Sequence, residues 1–275
     1  MSAPSVRRTR AFERTLDRTG DRVVAAAIGL REMAAFALIT LGVLVTKFGA
    51  SRRVVHPMIF AQIRQAGLRL LPMMVFLGLA LGLLIIGQTV ALLSRVGAQA
   101  YIGTVMVSVL VRELGPLLTA VVVLARAGTA NVVELGTMRA AREIGALEAL
   151  GIDPIHYLVM PRMLGLAISV FCLATYLVLV AIVSGWVFAF VQDVPLRPAA
   201  YFGQLGDALR WQDFALFGLK TFLFGVVIAI VSCHHGLARP LRFEEISSAT
   251  ERTVVAGLVA CVLLDVIFLV GYVFV

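Results

Sequence analysis

Long apolar stretches, separated by short polar or charged segments, are the dominant pattern along this chain. From residue 70 onward there are five such stretches, each close to the roughly 20 residues that a helix needs to cross a bilayer. They are continuous apolar runs, whereas the strands of a membrane barrel alternate apolar and polar positions over about ten residues. The pattern therefore predicts an all-α polytopic membrane protein with five transmembrane helices. The predicted crossings are residues 70–93, 102–125, 163–191, 214–232 and 254–275.

The region before residue 70 is less regular. Residues 1–22 are basic and polar, so we expect a cytoplasmic N-terminal segment and no signal peptide. Residues 23–50 are apolar, but Arg31 and Glu32 interrupt them, and the clean part that follows is only 13 residues long. Basic residues flank this part on both sides, which places both flanks in the cytoplasm. We therefore predict an interfacial or re-entrant elbow helix within 23–69; a full crossing by residues 23–50 is the alternative.

Composition and charge agree with a membrane protein. The chain is 60% hydrophobic and 15% charged, whereas a soluble domain is nearer half apolar and about one quarter charged. The net charge is +8, and twelve of the 24 Lys and Arg residues lie in positions 1–69. Beside membrane spans, such a basic region indicates the cytoplasmic leaflet and its anionic lipids, and we expect no nucleic-acid partner.

The loops between the crossings alternate between basic and non-basic. This alternation predicts a cytoplasmic N-terminus and a C-terminus on the outer side, and residues 192–213 are expected to form an outer loop. A row of glycines in the first crossing, Gly78, Gly82 and Gly87, predicts a face for close helix packing. Since no repeat or linker divides the sequence, residues 1–275 are predicted to form a single membrane domain with a five-span core at 70–275.

Two adjacent charges, Arg112 and Glu113, lie at the centre of the predicted second crossing. Each costs about 2.5–3.5 kcal/mol at mid-membrane on insertion scales, and neighbours on one helix cannot fully pair with each other. Pro116, which follows Gly115, cannot donate to the carbonyl of Arg112, so we predict a helix kink at the charged pair. Midplane charges on broken helices mark substrate sites in transporters, which makes Arg112 and Glu113 substrate-cavity candidates. A purely structural ion pair between helices is the alternative.

Two more charges lie in the later crossings. Asp265 is a further substrate-cavity candidate, with Arg112, Arg126 or a neighbouring subunit as its expected partner. Lys220 is near the outer end of the fourth crossing, where its ammonium is expected to snorkel to the headgroups. His234 and His235 are adjacent and therefore point about 100° apart on a helix, so we expect no metal site.

A short amphipathic helix is predicted between the second and third crossings. It follows a small-residue connector that carries Arg126 and Glu134, and it covers residues 138–150. Gly151 suits the position just after a helix end, and Asp153 with Pro154 suits the start of the next helix. The pattern fits a membrane-surface helix and a docking helix for a partner equally well. Its apolar residues include Ile144, Leu147 and Leu150, and its charged residues include Arg142, Glu143 and Glu148.

Three uncommon blocks in one order carry a family resemblance. RELGP at 112–116, ARAGTANVVELGTM at 125–138 and EIGALEALGIDP at 143–154 resemble the MlaE/YrbE family of ABC-transporter permeases. The resemblance extends from about residue 55 to the end of the chain. It implies a homodimer in the bacterial inner membrane, in which each copy has an elbow helix and five spans. It also implies that the cavity charges of the family correspond to Arg112 and Glu113.

The resemblance further implies several partners. A cytoplasmic ABC ATPase would dock on the coupling helix, and a periplasmic MCE-domain protein and in some systems a STAS-domain protein would join the complex. The implied cargo is lipid, usually phospholipid. No GxxxxGK[ST] sequence occurs in the chain, so we expect ATP and Mg²⁺ to bind in the separate ATPase and no cofactor here. The expected contacts with the ATPase are made by Arg142, Glu143, Ile144, Leu147, Glu148 and Leu150.

Two other classes of function stay open from the residues alone. An ion- or proton-coupled secondary transporter would use the intramembrane carboxylates Glu113 and Asp265, although no inverted repeat supports it. An intramembrane enzyme is the weakest alternative, because the acidic residues and histidines show no catalytic spacing. Transport that requires ATP but no proton gradient would distinguish the permease from both alternatives.

Overall fold

The computed structural model describes residues 28–29, 31–43, 52–97, 101–191, 198–237 and 242–274. Within these ranges the regular elements are helices, and no strand occurs. Five helical stretches are long and apolar enough to cross a membrane, which confirms the predicted number of crossings. We number these stretches spans 1 to 5. They are His56–Thr89, Ile102–Ala140, Ile155–Phe188, Trp211–Leu237 and Phe243–Tyr272.

The spans are assembled from consecutive helices, several of them joined by π-helical turns. The π-helical stretches are Gly82–Ile86, Val107–Leu114, Leu124–Gly128 and Ile155–Val159, and short 3-10 turns occupy Leu68–Leu70 and Phe243–Glu245. The α-helices are α1 (31–43), α2 (Arg52–Ala66), α3 (Leu71–Leu81), α4 (Gly87–Val96), α5 (Ile102–Met106), α6 (Gly115–Val123), α7 (Thr129–Ala140), α8 (Glu143–Ala149), α9 (Met160–Val191), α10 (Pro198–Ala208), α11 (Trp211–Leu237) and α12 (Ile246–Phe274).

Several helices extend beyond the apolar runs that predicted them. Span 2 continues through α7 to Ala140, although the apolar run ends near residue 125, and span 3 begins at Ile155 before its apolar run at 163. Apolar residues are needed only inside the hydrocarbon core, whereas backbone hydrogen bonds continue a helix into the polar region without them. Residues 126–162, which separate the predicted second and third crossings, are therefore largely an extension of spans 2 and 3.

Span 3 is the centre of the bundle. Its helix α9 packs against α2, α3, α6 and α11. The main apolar core includes Leu166, Val170 and Leu177 of α9, Met74 of α3 and Phe224 of α11, all of them buried. Span 5 packs against the outside of this group, and many apolar side chains of α12 stay exposed on the surface of the chain.

The glycine row of span 1 faces span 3, as predicted. A methyl group added at Gly78 would lie 2.9 Å from Val180 Cγ1, and one at Gly82 would overlap the side chain of Ser184. Gly87 lies in the same way against the ring of Phe188. The first two glycines are four residues apart and the last two are five apart, and the π-helical stretch Gly82–Ile86 supplies the extra residue. The wider turn keeps all three glycines on the face that contacts α9.

The N-terminal region is described only in part. Helix α1 packs against the core through Met33, Phe36 and Ala37, and the Phe36 ring lies edge-on to the His234 ring at 5.5 Å between centroids. Residues 1–22, together with 23–27, 30 and 44–50, lie outside the described residues. The basic N-terminal segment and the non-crossing elbow therefore stay predictions.

The segment after span 3, which was expected to be an outer loop, contains a helix. Within residues 192–213, helix α10 packs Tyr201 and Leu205 against Ile102 and Met106 of α5. The Tyr201 hydroxyl donates to the Ile182 carbonyl at 3.3 Å, and burial raises the pKa of this hydroxyl. The apolar spacing of four residues between Tyr201 and Leu205 was a weak helical signal in a segment that otherwise looks like a turn.

Candidate functional site

An ion-pair network inside the bundle contains all three substrate-cavity candidates. Arg112 forms a bidentate ion pair with Asp213. The Arg112 Nε lies 2.8 Å from Oδ1, and its Nη2 donates to Oδ2 at 3.2 Å. Asp213 is almost fully buried and also accepts the backbone N–H of Arg210 at 3.0 Å. The Arg112 guanidinium carbon lies 5.3 Å from the centre of the Tyr272 ring, within cation–π range.

Lys220 occupies the centre of this network. Its Nζ lies 3.1 Å from Glu113 Oε2 and 2.7 Å from Asp265 Oδ1, and the residue is 0% exposed. The prediction that Lys220 snorkels to the headgroups is therefore wrong. An ammonium inside the bundle is stabilised by two nearby carboxylates and gains nothing from extending toward water.

The expected partners of Asp265 are also corrected. Neither Arg112 nor Arg126 pairs with it among the described residues; its cation is Lys220. Arg126 lies on the surface in the π-helical stretch Leu124–Gly128 and takes no part in this network. The network thus joins span 2 to spans 4 and 5 of the same chain.

Pro116 explains one of the contacts of Lys220. Proline has no amide hydrogen, so the α-helical hydrogen bond to the Arg112 carbonyl is missing at this position. The Lys220 ammonium donates to that carbonyl at 2.8 Å. The chain stays helical through this point: the π-helical stretch Val107–Leu114 ends where the Gly115 amide donates to the Leu110 carbonyl. The predicted kink of the helix axis at Gly115 and Pro116 stays a prediction.

Sequence reasoning did not identify Asp213 and Lys220 as site residues. They lie seven residues apart on α11, which is two helical turns, so both project from one face. Arg112 and Glu113 are adjacent and therefore point in different directions, one toward Asp213 and the other toward Lys220. The seven-residue spacing of opposite charges in an apolar helix was the signal that could have indicated them.

The network has an accessible side. Arg112 is 30% exposed and Glu113 26%, whereas Lys220 and Asp213 are buried. Two cations, Arg112 and Lys220, face three carboxylates, Glu113, Asp213 and Asp265. A polar ligand that approached this part of the bundle would therefore meet Arg112 and Glu113 first.

The amphipathic helix between spans 2 and 3 is shorter than predicted. Residues 138–140 belong to α7, and the chain turns at Arg142, whose φ is 60°, before α8 begins at Glu143. Gly151 follows the helix with φ 76°, and Asp153 Oδ1 accepts the Ile155 amide at 3.0 Å. The predicted roles of Gly151 and Asp153 at the helix ends are confirmed.

The apolar residues of this helix do not all face the same direction. Ile144 is 1% exposed and packs against Leu135, Leu158 and Cys233, which belong to three different spans. Leu150 is 75% exposed. Ile144 therefore packs α8 against the helix bundle of its own chain, and other residues form the exposed surface of α8. Of the expected ATPase contacts, Arg142, Glu143, Glu148 and Leu150 are exposed and Leu147 is partly exposed.

Ion pairs add to this attachment. Glu134 Oε1 of α7 lies 2.7 Å from Arg162 Nη2 at the start of α9, and Arg162 is buried. Arg139 lies 4.0 Å from Glu148, which is a longer pair between α7 and α8. The connector residue Glu134 thus joins spans 2 and 3 next to the buried cluster around Ile144.

Comparison with known proteins assigns the family. Residues 59–270 match the family described as Permease MlaE. The chain belongs to this family. A probable ABC transporter permease protein of Rickettsia conorii is 30% identical over 213 residues, which is 76% of this chain and 82% of the relative.

Two other relatives of this chain carry more specific names. The intermembrane phospholipid transport system permease protein MlaE of Haemophilus influenzae is 27% identical over 212 residues, which is 77% of this chain and 81% of the relative. The chloroplastic protein TRIGALACTOSYLDIACYLGLYCEROL 1 of Arabidopsis thaliana is 30% identical over 183 residues, which is 65% of this chain and 51% of the relative.

Membership in the MlaE family confirms the resemblance carried by the three sequence blocks, all of which lie inside the matched region. The chain is the membrane subunit of an ABC transporter and not an enzyme. Arg112, Glu113 and Asp265 lie within the match, as does the whole of α8.

Proposed function

We propose that this MlaE permease moves lipid, with phospholipid as the main cargo, across or out of a bacterial inner membrane. The observation that carries the proposal is the family match over 59–270. The relative from Haemophilus influenzae, named for intermembrane phospholipid transport, supports the choice of cargo. The five apolar spans and the partly exposed charges Arg112 and Glu113 are compatible with a lipid whose headgroup is charged.

The energy source in this proposal is a separate cytoplasmic ATPase that binds ATP and Mg²⁺. Its docking surface is α8, where Arg142, Glu143, Glu148 and Leu150 point away from the chain. Ile144 faces the opposite way, into the cluster with Leu135, Leu158 and Cys233. A force applied to the outer surface of α8 therefore reaches the ends of spans 2, 3 and 4 through Ile144, in addition to the Arg139–Glu148 pair and the chain itself.

The substrate cavity in this proposal is formed with a second copy of the chain. The exposed edge of the ion-pair network, Arg112 and Glu113, supplies polar contacts for a headgroup, and Asp265 supports it through Lys220. The exposed apolar surface of α12 offers the acyl chains or the second copy an apolar face. Closure of the ATPases would displace α8 and reshape the cavity.

Further partners follow from the family. A periplasmic MCE-domain protein would accept or deliver the lipid, and a STAS-domain protein would join the ATPase in some systems. The proposed orientation has a cytoplasmic N-terminus and a periplasmic C-terminus. The alternation of basic and non-basic loops supports it. In this orientation α8 lies on the cytoplasmic side and α10 on the periplasmic side.

The cavity assignment is tested with a pair of variants that separates function from folding. Arg112→Gln alone leaves the buried Asp213 without its cation, so a loss of activity could reflect damage to the fold. Arg112→Gln combined with Asp213→Asn replaces the ion pair by two neutral amides of similar size. In the complex purified with its own ATPase and MCE partner, we expect the double variant to keep its melting temperature and to lose ATP-driven lipid transfer.

Several outcomes would contradict the proposal. Unchanged lipid transfer in the double variant would remove Arg112 from the substrate cavity. Transport that follows a proton gradient and needs no ATP would favour the alternative in which Glu113 and Asp265, which share the one ammonium of Lys220, bind a proton. Unchanged ATPase binding and ATP-driven transfer in a Leu150→Asp variant would argue against α8 as a coupling helix.

A further inference from the structure

A second polar cavity lies outside the ion-pair network. It is enclosed by α2, the 3-10 turn Leu68–Leu70, the π-helical stretch Leu124–Gly128 and the first turn of α7, and its volume is about 200 Å³. It shares no residue with the network around Lys220. Its lining residues are Gln62, Gln65, Ala66, Arg69, Leu70, Arg126, Ala127, Ala130 and Asn131.

The lining of this cavity is rich in hydrogen-bond donors and carries positive charge. Arg69 and Arg126 contribute two guanidinium groups from two different spans, and the lining includes no Asp or Glu within the described part of the chain. Guanidinium groups are suited to phosphate because their planar N–H donors match its oxygens. The Arg69 and Arg126 side chains are both exposed, so neither charge is buried inside the bundle.

A buried amide gives a second, independent indication of a ligand. Asn131 is 3% exposed, and its side-chain oxygen accepts from Gln62 Nε2 at 3.4 Å. Its side-chain nitrogen has no hydrogen-bond partner among the described residues. A buried donor without a partner is unfavourable, and such groups are normally satisfied by protein, water or a bound ligand. In this cavity the amide nitrogen adds a neutral donor beside the two arginines.

The local backbone explains why Arg126 reaches the cavity. It lies in a π-helical stretch, where hydrogen bonds span five residues and the wider turn changes the direction of side chains relative to an α-helix. Short π-helical turns within α-helices occur frequently at functional sites. Arg69 lies in the 3-10 turn between α2 and α3, so both arginines come from irregular turns of otherwise apolar helices.

We propose that this cavity binds a phosphate group of an anionic compound, held by Arg69, Arg126 and the Asn131 amide. Pockets that enclose a whole small molecule measure roughly 300–1,000 Å³, so a cavity of about 200 Å³ suits a phosphate and its nearest atoms. The phosphate belongs either to a lipid headgroup in the adjacent leaflet or to a soluble compound. The site does not depend on the proposed transport cargo, because Arg112 and Glu113 take no part in it.

The experiment uses the full-length chain in detergent and three single variants that each remove one positive charge. Arg69→Gln and Arg126→Gln change the cavity, whereas Arg64→Gln removes an exposed arginine of α2 that does not line it. Binding of phosphatidylglycerol is measured by mass spectrometry of the intact protein, with diacylglycerol as the lipid without phosphate. Glycerol 3-phosphate and inorganic phosphate are tested as soluble ligands by thermal shift.

We expect each cavity variant to weaken phosphate binding by about threefold to tenfold, because charge-assisted hydrogen bonds are lost. The double variant Arg69→Gln/Arg126→Gln should weaken it by about tenfold or more. Arg64→Gln should change it less than about twofold, as for a screened surface charge. Loss of phosphatidylglycerol binding identifies a lipid headgroup, and loss of the glycerol 3-phosphate shift identifies a soluble compound. Equal binding of all phosphate compounds by the wild type, the double variant and Arg64→Gln would overturn the proposal, as would equal retention of diacylglycerol and phosphatidylglycerol.

Discussion

Replacing Lys220 by methionine should destabilise the folded chain more than any other single change in the ion-pair network. The ammonium lies 3.1 Å from Glu113, 2.7 Å from Asp265 and 2.8 Å from the Arg112 carbonyl, and the residue is fully buried. Methionine has a similar length but no charge, so it leaves two carboxylates and one carbonyl without their common partner. The perturbation therefore affects three groups on spans 2 and 5 at once.

The size of the effect follows from these contacts. Removing one partner of a buried ion pair typically costs about 3–5 kcal/mol, because the remaining charge stays buried without compensation. Side-chain hydrogen bonds inside membrane proteins are weaker, with an average near 0.6 kcal/mol, because the unfolded chain in the membrane also finds partners. Glu113 is 26% exposed and Asp265 15%, which lowers the cost further because both side chains can relax toward water. We expect a loss of about 2–4 kcal/mol in the free energy of unfolding.

Compensating changes make the interpretation specific. If the cost arises from uncompensated carboxylates, then adding Glu113→Gln and Asp265→Asn to Lys220→Met should restore most of the stability that Lys220→Met loses. Thermal unfolding in detergent gives the stability, and ATPase activity of the assembled complex gives coupling. A cycle of single and combined variants isolates the interaction energy from the effects of each substitution alone.

Two results would refute this reasoning. A melting temperature of Lys220→Met within about one degree of the wild type would show that the ammonium is not the common partner of Glu113 and Asp265. Strictly additive losses, in which the neutral triple variant is less stable than Lys220→Met, would show that packing and not charge compensation sets the cost. Lys220→Arg serves as the control that keeps the charge but changes the shape.

Four other changes test the helix packing and the coupling helix. Leu150→Asp should alter the free energy of unfolding by no more than about 0.5 kcal/mol, since the side chain is exposed, but it should reduce co-purification of the ATPase. Ile144→Asp should instead lower the melting temperature, because it places a carboxylate in a buried cluster. Gly82→Leu should cost at least about 1–3 kcal/mol, because its side chain would overlap Ser184 and the neighbouring backbone of α9, and a wild-type melting temperature would contradict the contact. Glu134→Gln should cost about 1 kcal/mol, since the pair with Arg162 is only half buried; no change in thermal unfolding would remove the pair from the attachment of span 2 to span 3.

The number of spans could be predicted because the bilayer imposes it. A helix that crosses the hydrocarbon core must be apolar over about 20 residues, so each crossing leaves a clear signal in the sequence. The ends of the helices leave no such signal, because polar residues continue a helix in water as readily as apolar ones. This is why α7 extends to Ala140 while the apolar run ends near residue 125.

The partners within the site could be predicted only in part. The adjacent charges Arg112 and Glu113 showed that counter-charges had to exist, but the sequence does not determine which helices lie beside them. Pro116 showed that the Arg112 carbonyl lacked a donor, and the structure supplies Lys220 for it. In the same way, helical spacing predicted that Ile144 and Leu150 are apolar positions of one helix, but only tertiary packing decides that Ile144 is covered and Leu150 is not.

The attachment of α8 and the ion-pair network together determine which contacts a movement of α8 would strain. The cluster around Ile144 contains residues of spans 2, 3 and 4, and among the described residues it contains none of span 5. Span 5 joins the same helices through other contacts, because α12 packs against α7 and α11. Asp265 is carried by span 5, and its 2.7 Å contact with Lys220 adds an ion pair between spans 5 and 4. If α8 couples to an ATPase as proposed, we expect its displacement to act on span 5 through helix packing and this ion pair. The Lys220 variants should therefore be measured for ATPase coupling as well as for stability.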